Sequence, residues 1–218
     1  MEKRLIAFNG SPRKTWNTAT LLRHALEGAE SEGAATELVN LYDLQYTGCT
    51  SCFACKRIGG KSYGHCPVND DLLPVLKRAE NANAILVGSP IYFAITTGMT
   101  RCLLERLMFP FSVYDPPRTS LFGKKIRTGI IYTAGASEQM IRDMGYEQSA
   151  RVTEAAMARI FGSCESLWVA DTYQFDDYAK YMSTLFDPES KKQRKDVQFP
   201  KDCRNAYELG ARLVRDRA

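Results

Sequence analysis

Short apolar runs alternate with amphipathic stretches along this chain, and that alternation restricts it to few architectures. Arg4–Phe8 reads as a strand. After it, Leu21, Leu22, Ala25, Leu26 and Ala29 recur at helical spacing, with Asn17 or Thr18 as the cap. Glu37–Leu41 reads as a second strand, Ala84–Val87 as a third, Arg127–Thr133 as a fourth and Leu167–Ala170 as a fifth. Between them, helical periodicity runs from Leu72 to Ala79 behind an Asn69-Asp70-Asp71 start, from Met99 to Leu107, and from Glu138 to Phe161. A last helix is predicted over Glu208–Arg215, and residues 174–200 stay unassigned. The unbroken apolar run Ala84–Val87 fits a strand buried on both faces. Strands alternating with helices predict a parallel sheet with helices on both faces and right-handed crossovers.

Five strands point to the flavodoxin-like order 2-1-3-4-5, which places a ligand at the carboxyl ends of the strands. The 218 residues suit one domain over 1–218, with a cysteine-rich loop insertion at 49–66 and a C-terminal extension at 174–218. Hydrophobic residues at 44% and charged residues at 25% are those of a soluble globular chain. No apolar run approaches the ~20 residues of a membrane span. The basic start at Lys3-Arg4 is followed by too short an apolar stretch, closed by Asn9-Gly10, for a signal peptide. The expectation is a cytoplasmic protein without membrane partners. A formal charge of +4, scattered along the chain, gives no basic stripe for nucleic acid. Lys124, Lys125 and Arg127 cluster before the fourth strand and read as a solvated strand start.

The turn between the first strand and the first helix is Asn9-Gly10-Ser11-Pro12-Arg13-Lys14-Thr15-Trp16-Asn17-Thr18. A helix N-terminus offers free N–H groups and the positive end of a dipole, which together bind phosphate. Ser11, Asn17 and Thr18 add neutral donors and Arg13 a charged fork. The plainer reading is a Gly-Ser-Pro turn. No Gly-x-Gly-x-x-Gly stands here, which disfavours a dinucleotide fold. Gly60-Lys61-Ser62 resembles the end of a Walker A loop, but Cys55 occupies the position of its first glycine.

Four of the seven cysteines, Cys49, Cys52, Cys55 and Cys66, fall close together. Their spacing has the compact head of an iron–sulfur ligand run. Zinc, with His65 as an added ligand, and reduced thiols are the alternatives. The gap from Cys52 to Arg57 is one residue short for a Cys-x5-Arg phosphatase loop. His24 reads as a surface residue.

Three motifs in order carry a resemblance: the Asn9–Thr18 turn, Gly88-Ser89-Pro90-Ile91-Tyr92-Phe93 with Thr97-Gly98 behind it, and Tyr132-Thr133-Ala134-Gly135. Together they resemble the NADPH-dependent FMN reductase and iron–sulfur flavoprotein superfamily. The resemblance implies FMN bound by Ser11, Arg13, Asn17 and Thr18 at the phosphate. It implies Pro90, Ile91, Tyr92 and Phe93 along the isoalloxazine ring, and Thr133 and Gly135 in a second ring or ribityl loop. It also implies a 4Fe–4S cluster on Cys49, Cys52, Cys55 and Cys66, although Lys56–His65 lengthens the family's last spacing. The expected function is FMN-dependent transfer of electrons from NAD(P)H to a small acceptor such as a quinone or flavin. The alternative is single-electron exchange between FMN, the cluster and a ferredoxin-like partner. A module that binds without turnover would leave the phosphate loop without a role. Relatives of this kind imply a homodimer or homotetramer, with Tyr173–Pro200 packed on a neighbouring subunit.

Overall fold

The computed structural model describes residues 2–216. Its strands are β1 (Arg4–Asn9), β2 (Ala35–Asn40), β3 (Ala84–Tyr92), β4 (Ile95–Thr96), β5 (Ile126–Thr133) and β6 (Gly162–Val169). The helices are α1 (Asn17–Ser31), α2 (Leu72–Asn81), α3 (Gly98–Met108), α4 (Glu138–Asp143), α5 (Tyr146–Phe161), α6 (Pro188–Gln193) and α7 (Phe199–Val214). Five strands pair in parallel in the order β2-β1-β3-β5-β6, which is the flavodoxin-like order. The sixth, β4, is a two-residue strand antiparallel to the end of β3.

Side-chain alternation along the strands builds two cores. Leu5 and Ala7 of β1 and Ala84 and Leu86 of β3 meet Leu21, Leu22 and Ala25 of α1 and Leu209 and Leu213 of α7. Ile6, Phe8, Ile85 and Val87 point the other way, onto Leu72 and Leu76 of α2, Leu103 and Leu107 of α3, and Ile160 and Phe161 of α5. Each Leu, Ile, Val or Phe among them, fully buried, is worth roughly 1.5–3 kcal/mol. Helices α1 and α7 touch backbone to backbone. A Cβ on Gly28 would lie 1.9 Å from the Tyr207 carbonyl oxygen, and one on Gly210 only 1.7 Å from that of Ala25.

The structure departs from the sequence-based expectations at five places. The helix expected over Glu138–Phe161 is two helices, because Gly145 sits in the left-handed region at φ 68°. The fifth parallel strand starts at Gly162 rather than Leu167, and the last helix at Phe199 rather than Glu208. The unassigned stretch holds a 3-10 turn (Tyr178–Lys180), α6, and a π-helical turn (Arg194–Gln198) that runs into α7. The third strand, expected over Ala84–Val87, runs on to Tyr92 and turns at Phe93-Ala94 into a tight hairpin, in which Ile91 pairs with Thr96 and Tyr92 with Ile95.

Candidate functional site

Strand β1 ends in the middle of the sheet, and its last residue organises the turn that follows. Asn9 is fully buried; its side-chain oxygen accepts from the Ser11 N–H at 3.1 Å and its amide donates to Asn40. Ser11 Oγ accepts from the Arg13 N–H at 3.1 Å. The Gly10 N–H donates to the Gly88 carbonyl at 2.8 Å, and the Gly10 carbonyl accepts from Thr97 Oγ1 at 2.8 Å. This approach is so close that a Cβ on Gly10 would fall 1.9 Å from Thr100 Oγ1. Thr97, which caps α3, is itself fixed by Ser89 Oγ at 3.0 Å. A buried lattice of short polar side chains thus supports the turn from below.

Above that lattice, α1 begins with no side-chain cap and no acidic residue in its first turn. Its free N–H groups and dipole face a cavity of about 150 Å³. Ser11, Arg13, Asn17 and Thr18 line it from the turn, Pro90, Ile91 and Tyr92 from β3, and Thr133 and Gly135 from the end of β5. Thr18 and Thr133 hydroxyls meet at 2.7 Å, tying α1 to β5. Arg13, stacked 4.4 Å from the centre of the Trp16 ring, is the only charged residue among those lining the cavity.

Phe93, also expected along the ring, does not line this cavity. It is 98% exposed at the hairpin tip, where it and Ala94 both take left-handed φ values of 51° and 69°. Two-residue hairpin turns of this kind normally use Asn or Gly, so the tip is strained. No sequence motif marks the fourth wall, Thr172–Phe175, which follows β6. The Tyr173 carbonyl accepts from Asn17 Nδ2 at 2.8 Å and the Gln174 carbonyl from the Arg13 guanidinium at 2.5 Å. Trp16, Asn9, Ser89 and Thr97 were also missed as site residues, although all four lie within or beside the quoted motifs. Lys124, Lys125 and Arg127 sit at the opposite end of β5. Lys124 and Arg127 donate to the Ala82 and Arg212 carbonyls.

Cys49, Cys52, Cys55 and Cys66 line a second, smaller cavity beside α3. The glycine-rich insert folds back through successive turns, closed by Gly64 N–H to the Cys55 carbonyl at 2.9 Å, and so returns Cys66 to the other three. Arg106 holds the loop at both ends. Its fully buried guanidinium forks onto Asp70 and donates to the Thr47 carbonyl at 3.2 Å, the Val68 carbonyl at 3.1 Å and Cys66 Sγ at 3.4 Å. Lys56 fastens the middle by donating to the Phe109, Pro110 and Ser112 carbonyls. Burial pushes the Cys55 thiol up, with the Lys56 charge opposing. All seven cysteines are free thiols, the expected donor chemistry for an iron–sulfur or zinc site. Among the described residues, no three Cys, His, Asp or Glu side chains draw together tightly enough to hold a metal ion. His65 turns away to Glu80 at 3.1 Å, and His24 pairs with Glu27 on the surface.

Residues 3–193 match the NADPH-dependent FMN reductase family. An iron–sulfur flavoprotein of Methanocaldococcus jannaschii is 36% identical over 103 residues, 47% of this chain and 51% of that protein. One from Archaeoglobus fulgidus is also 36% identical over 103 residues, 47% of this chain and 48% of the other. The chain thus spans about half the length of these curated relatives. Among solved structures, an NAD(P)H:quinone oxidoreductase from Methanothermobacter marburgensis superposes over 100% of both chains with a TM-score of 0.71 at 13% identity. An FMN-dependent NADH-azoreductase from Bacillus anthracis, solved with FMN, covers 99% of this chain and 100% of its own, with a TM-score of 0.65 at 13% identity. At those identities the likeness is one of fold. The match over most of its length places the chain in the NADPH-dependent FMN reductase family.

Proposed function

We propose that this protein binds FMN at the β1–α1 turn and uses it to pass electrons from NAD(P)H to a small acceptor such as a quinone, an azo compound or a free flavin. One observation carries the reading: the cavity at the uncapped start of α1 is lined by hydroxyls, amides and one charge, the Arg13 guanidinium. That is the chemistry of a phosphate site. A cavity of about 150 Å³ is smaller than the ~300–1,000 Å³ of a whole-ligand pocket, so it suits the phosphate and ribityl end. The flat ring is left to the rim of Pro90, Ile91 and Tyr92, which is partly exposed and apolar.

Bound FMN would supply the hydride and electron chemistry, with the protein setting position and electrostatics. Ser11 Oγ and the first-turn N–H groups of α1 receive the phosphate. Arg13 and Asn17 exchange their carbonyl partners on the 173–174 segment for phosphate oxygens. Thr133 and Gly135 offer a hydroxyl and backbone groups to the ribityl chain. No side chain is assigned as an acid or base.

Apoprotein titrated with FMN and with riboflavin tests this. Ser11→Ala with Arg13→Ala is expected to weaken FMN by about 100-fold or more, from two lost bonds to a charged group. Riboflavin, lacking the phosphate, is expected to bind wild type and variant alike. Unchanged FMN affinity in the double variant rejects the phosphate site.

A second reading rests on the four thiols gathered on one cavity: a 4Fe–4S cluster exchanging single electrons with FMN and a ferredoxin-like partner. The curated relatives named iron–sulfur flavoproteins support it. Iron counted in protein purified without air tests it. Cys52→Ser should abolish that iron, and full retention removes Cys52 as a ligand. We also infer a homodimer or homotetramer, and a monomer in sedimentation would overturn that inference.

A further inference from the structure

Lys191 is almost wholly buried, at 2% exposure, in a region of the chain outside every motif of the cofactor site. It belongs to α6, in the C-terminal extension. A buried ammonium is costly unless all its N–H bonds are used. Here they are. Nζ donates to the Gly135 carbonyl at 2.6 Å, to the Asp171 carboxylate and, at 3.5 Å, to the Thr172 carbonyl. The Phe186 ring covers it at 4.3 Å.

These acceptors are not incidental. Gly135 and Thr172 both line the cavity, one on the segment leaving β5 and the other on the segment leaving β6. The two segments already run side by side: Ala134 N–H donates to Val169, Thr172 N–H to Ala134 and Asp171 N–H to Ala136. Lys191 closes that ladder from beneath. Asp171 takes a left-handed φ of 56°, a strained backbone held where its carboxylate meets the ammonium. From this root the chain continues into Tyr173 and Gln174, whose carbonyls reach Asn17 and Arg13 across the cavity.

We propose that Lys191 is a positioning residue of the cofactor site, pinning the segments after β5 and β6 so that Gly135 and Thr172–Phe175 form the cavity wall. The C-terminal extension is then part of the site. The inference rests on the FMN reading above.

Apoprotein of wild type, Lys191→Met and Asp171→Asn is titrated with FMN well below each protein's melting temperature. The visible circular dichroism of the bound flavin is recorded on the same samples. Lys191→Met is expected to raise the FMN Kd about tenfold or more, the equivalent of one charge-assisted hydrogen bond, and to change the flavin's dichroism. Asp171→Asn keeps an acceptor for the ammonium, so it is expected to fold and to move both readouts in the same direction by less. A purely structural lysine would lower the melting temperature and leave Kd and dichroism unchanged, which overturns the proposal. If Lys191→Met does not fold, a wild-type Kd in Asp171→Asn overturns it equally. Absence of FMN binding by the wild type rejects the FMN reading and this inference together. Wild-type binding with unaffected variants rejects this inference alone.

Discussion

Replacing Arg106 by Met tests how the cysteine loop is held. The wild-type guanidinium is fully buried and serves five acceptors: both Asp70 oxygens, the Thr47 and Val68 carbonyls and Cys66 Sγ. Methionine fills a similar length but leaves Asp70, whose side chain is only 17% exposed, without its partner. Breaking a buried ion pair from one side costs about 3–5 kcal/mol. With a urea slope of roughly 2–3 kcal/mol per M for a chain of this size, the unfolding midpoint should fall by about 1–2.5 M. The slope itself should stay constant. Burial pushes the Asp70 carboxyl up, but the hydrogen bond and charge of Arg106 outweigh it and hold the carboxyl below its usual range. A group depressed in the folded state contributes fully above its unfolded pKa, and its contribution is lost as pH falls through the folded value. The gap between wild type and variant should therefore be full at neutral pH and narrow as pH drops below about 4. Thiol-reactive dye should label Cys55 and Cys66 faster in the variant than in the wild type. A midpoint shift below about 0.3 M would mean the fork contributes under ~1 kcal/mol, and the reasoning would be wrong.

Gly10→Ala should impair both stability and FMN binding, because its Cβ meets the buried Thr100 hydroxyl at 1.9 Å; a normal FMN Kd would show that the turn shifts freely. Gly210→Ala forces a methyl against the Ala25 carbonyl and should cost about 3 kcal/mol or more by thermal unfolding. FMN affinity measured well below the melting temperature should change much less, since that contact is remote from the cavity. Tyr132→Phe should be neutral or raise the melting temperature, as the buried hydroxyl makes no hydrogen bond of normal geometry among the described residues, with Glu154 its one acidic neighbour close enough to become a partner. A loss above ~1 kcal/mol there would reveal a partner.

The parallel sheet was legible because its central strands are continuous apolar runs, such as Ala84–Val87, that no surface element would carry. The start of β6 was hidden because Gly162-Ser163-Cys164-Glu165-Ser166 lies at a sheet edge and needs no apolar run. The start of α7 was hidden by the charged approach Lys191–Lys201, through which a π-helical turn carries the chain. Nine of the ten residues selected for the cofactor line one cavity because strand ends and the turn after β1 converge wherever a parallel sheet changes direction. Phe93 lies apart because a strained two-residue turn has no signature when Phe and Ala occupy it. Thr172–Phe175 and Lys191 were missed because their contribution comes through backbone carbonyls and one long-range ammonium, neither of which leaves a local pattern.

The backbone contact of α1 with α7 has a consequence for the order of assembly. Helix α1 starts at the turn after β1, and the helix that covers it ends at Val214. A ribosome adds about 5–20 residues each second, so the first helix waits many seconds for its cover. A nascent chain reaching Phe175 already contains every residue that lines the cavity, yet lacks Lys191 and the whole apolar face of α7. Strand pairing between distant segments is slow to begin with. On the FMN reading, cofactor capture is thus tied to the synthesis of α7 rather than to that of the residues that line the cavity, and a bound ligand stabilises the fold around it.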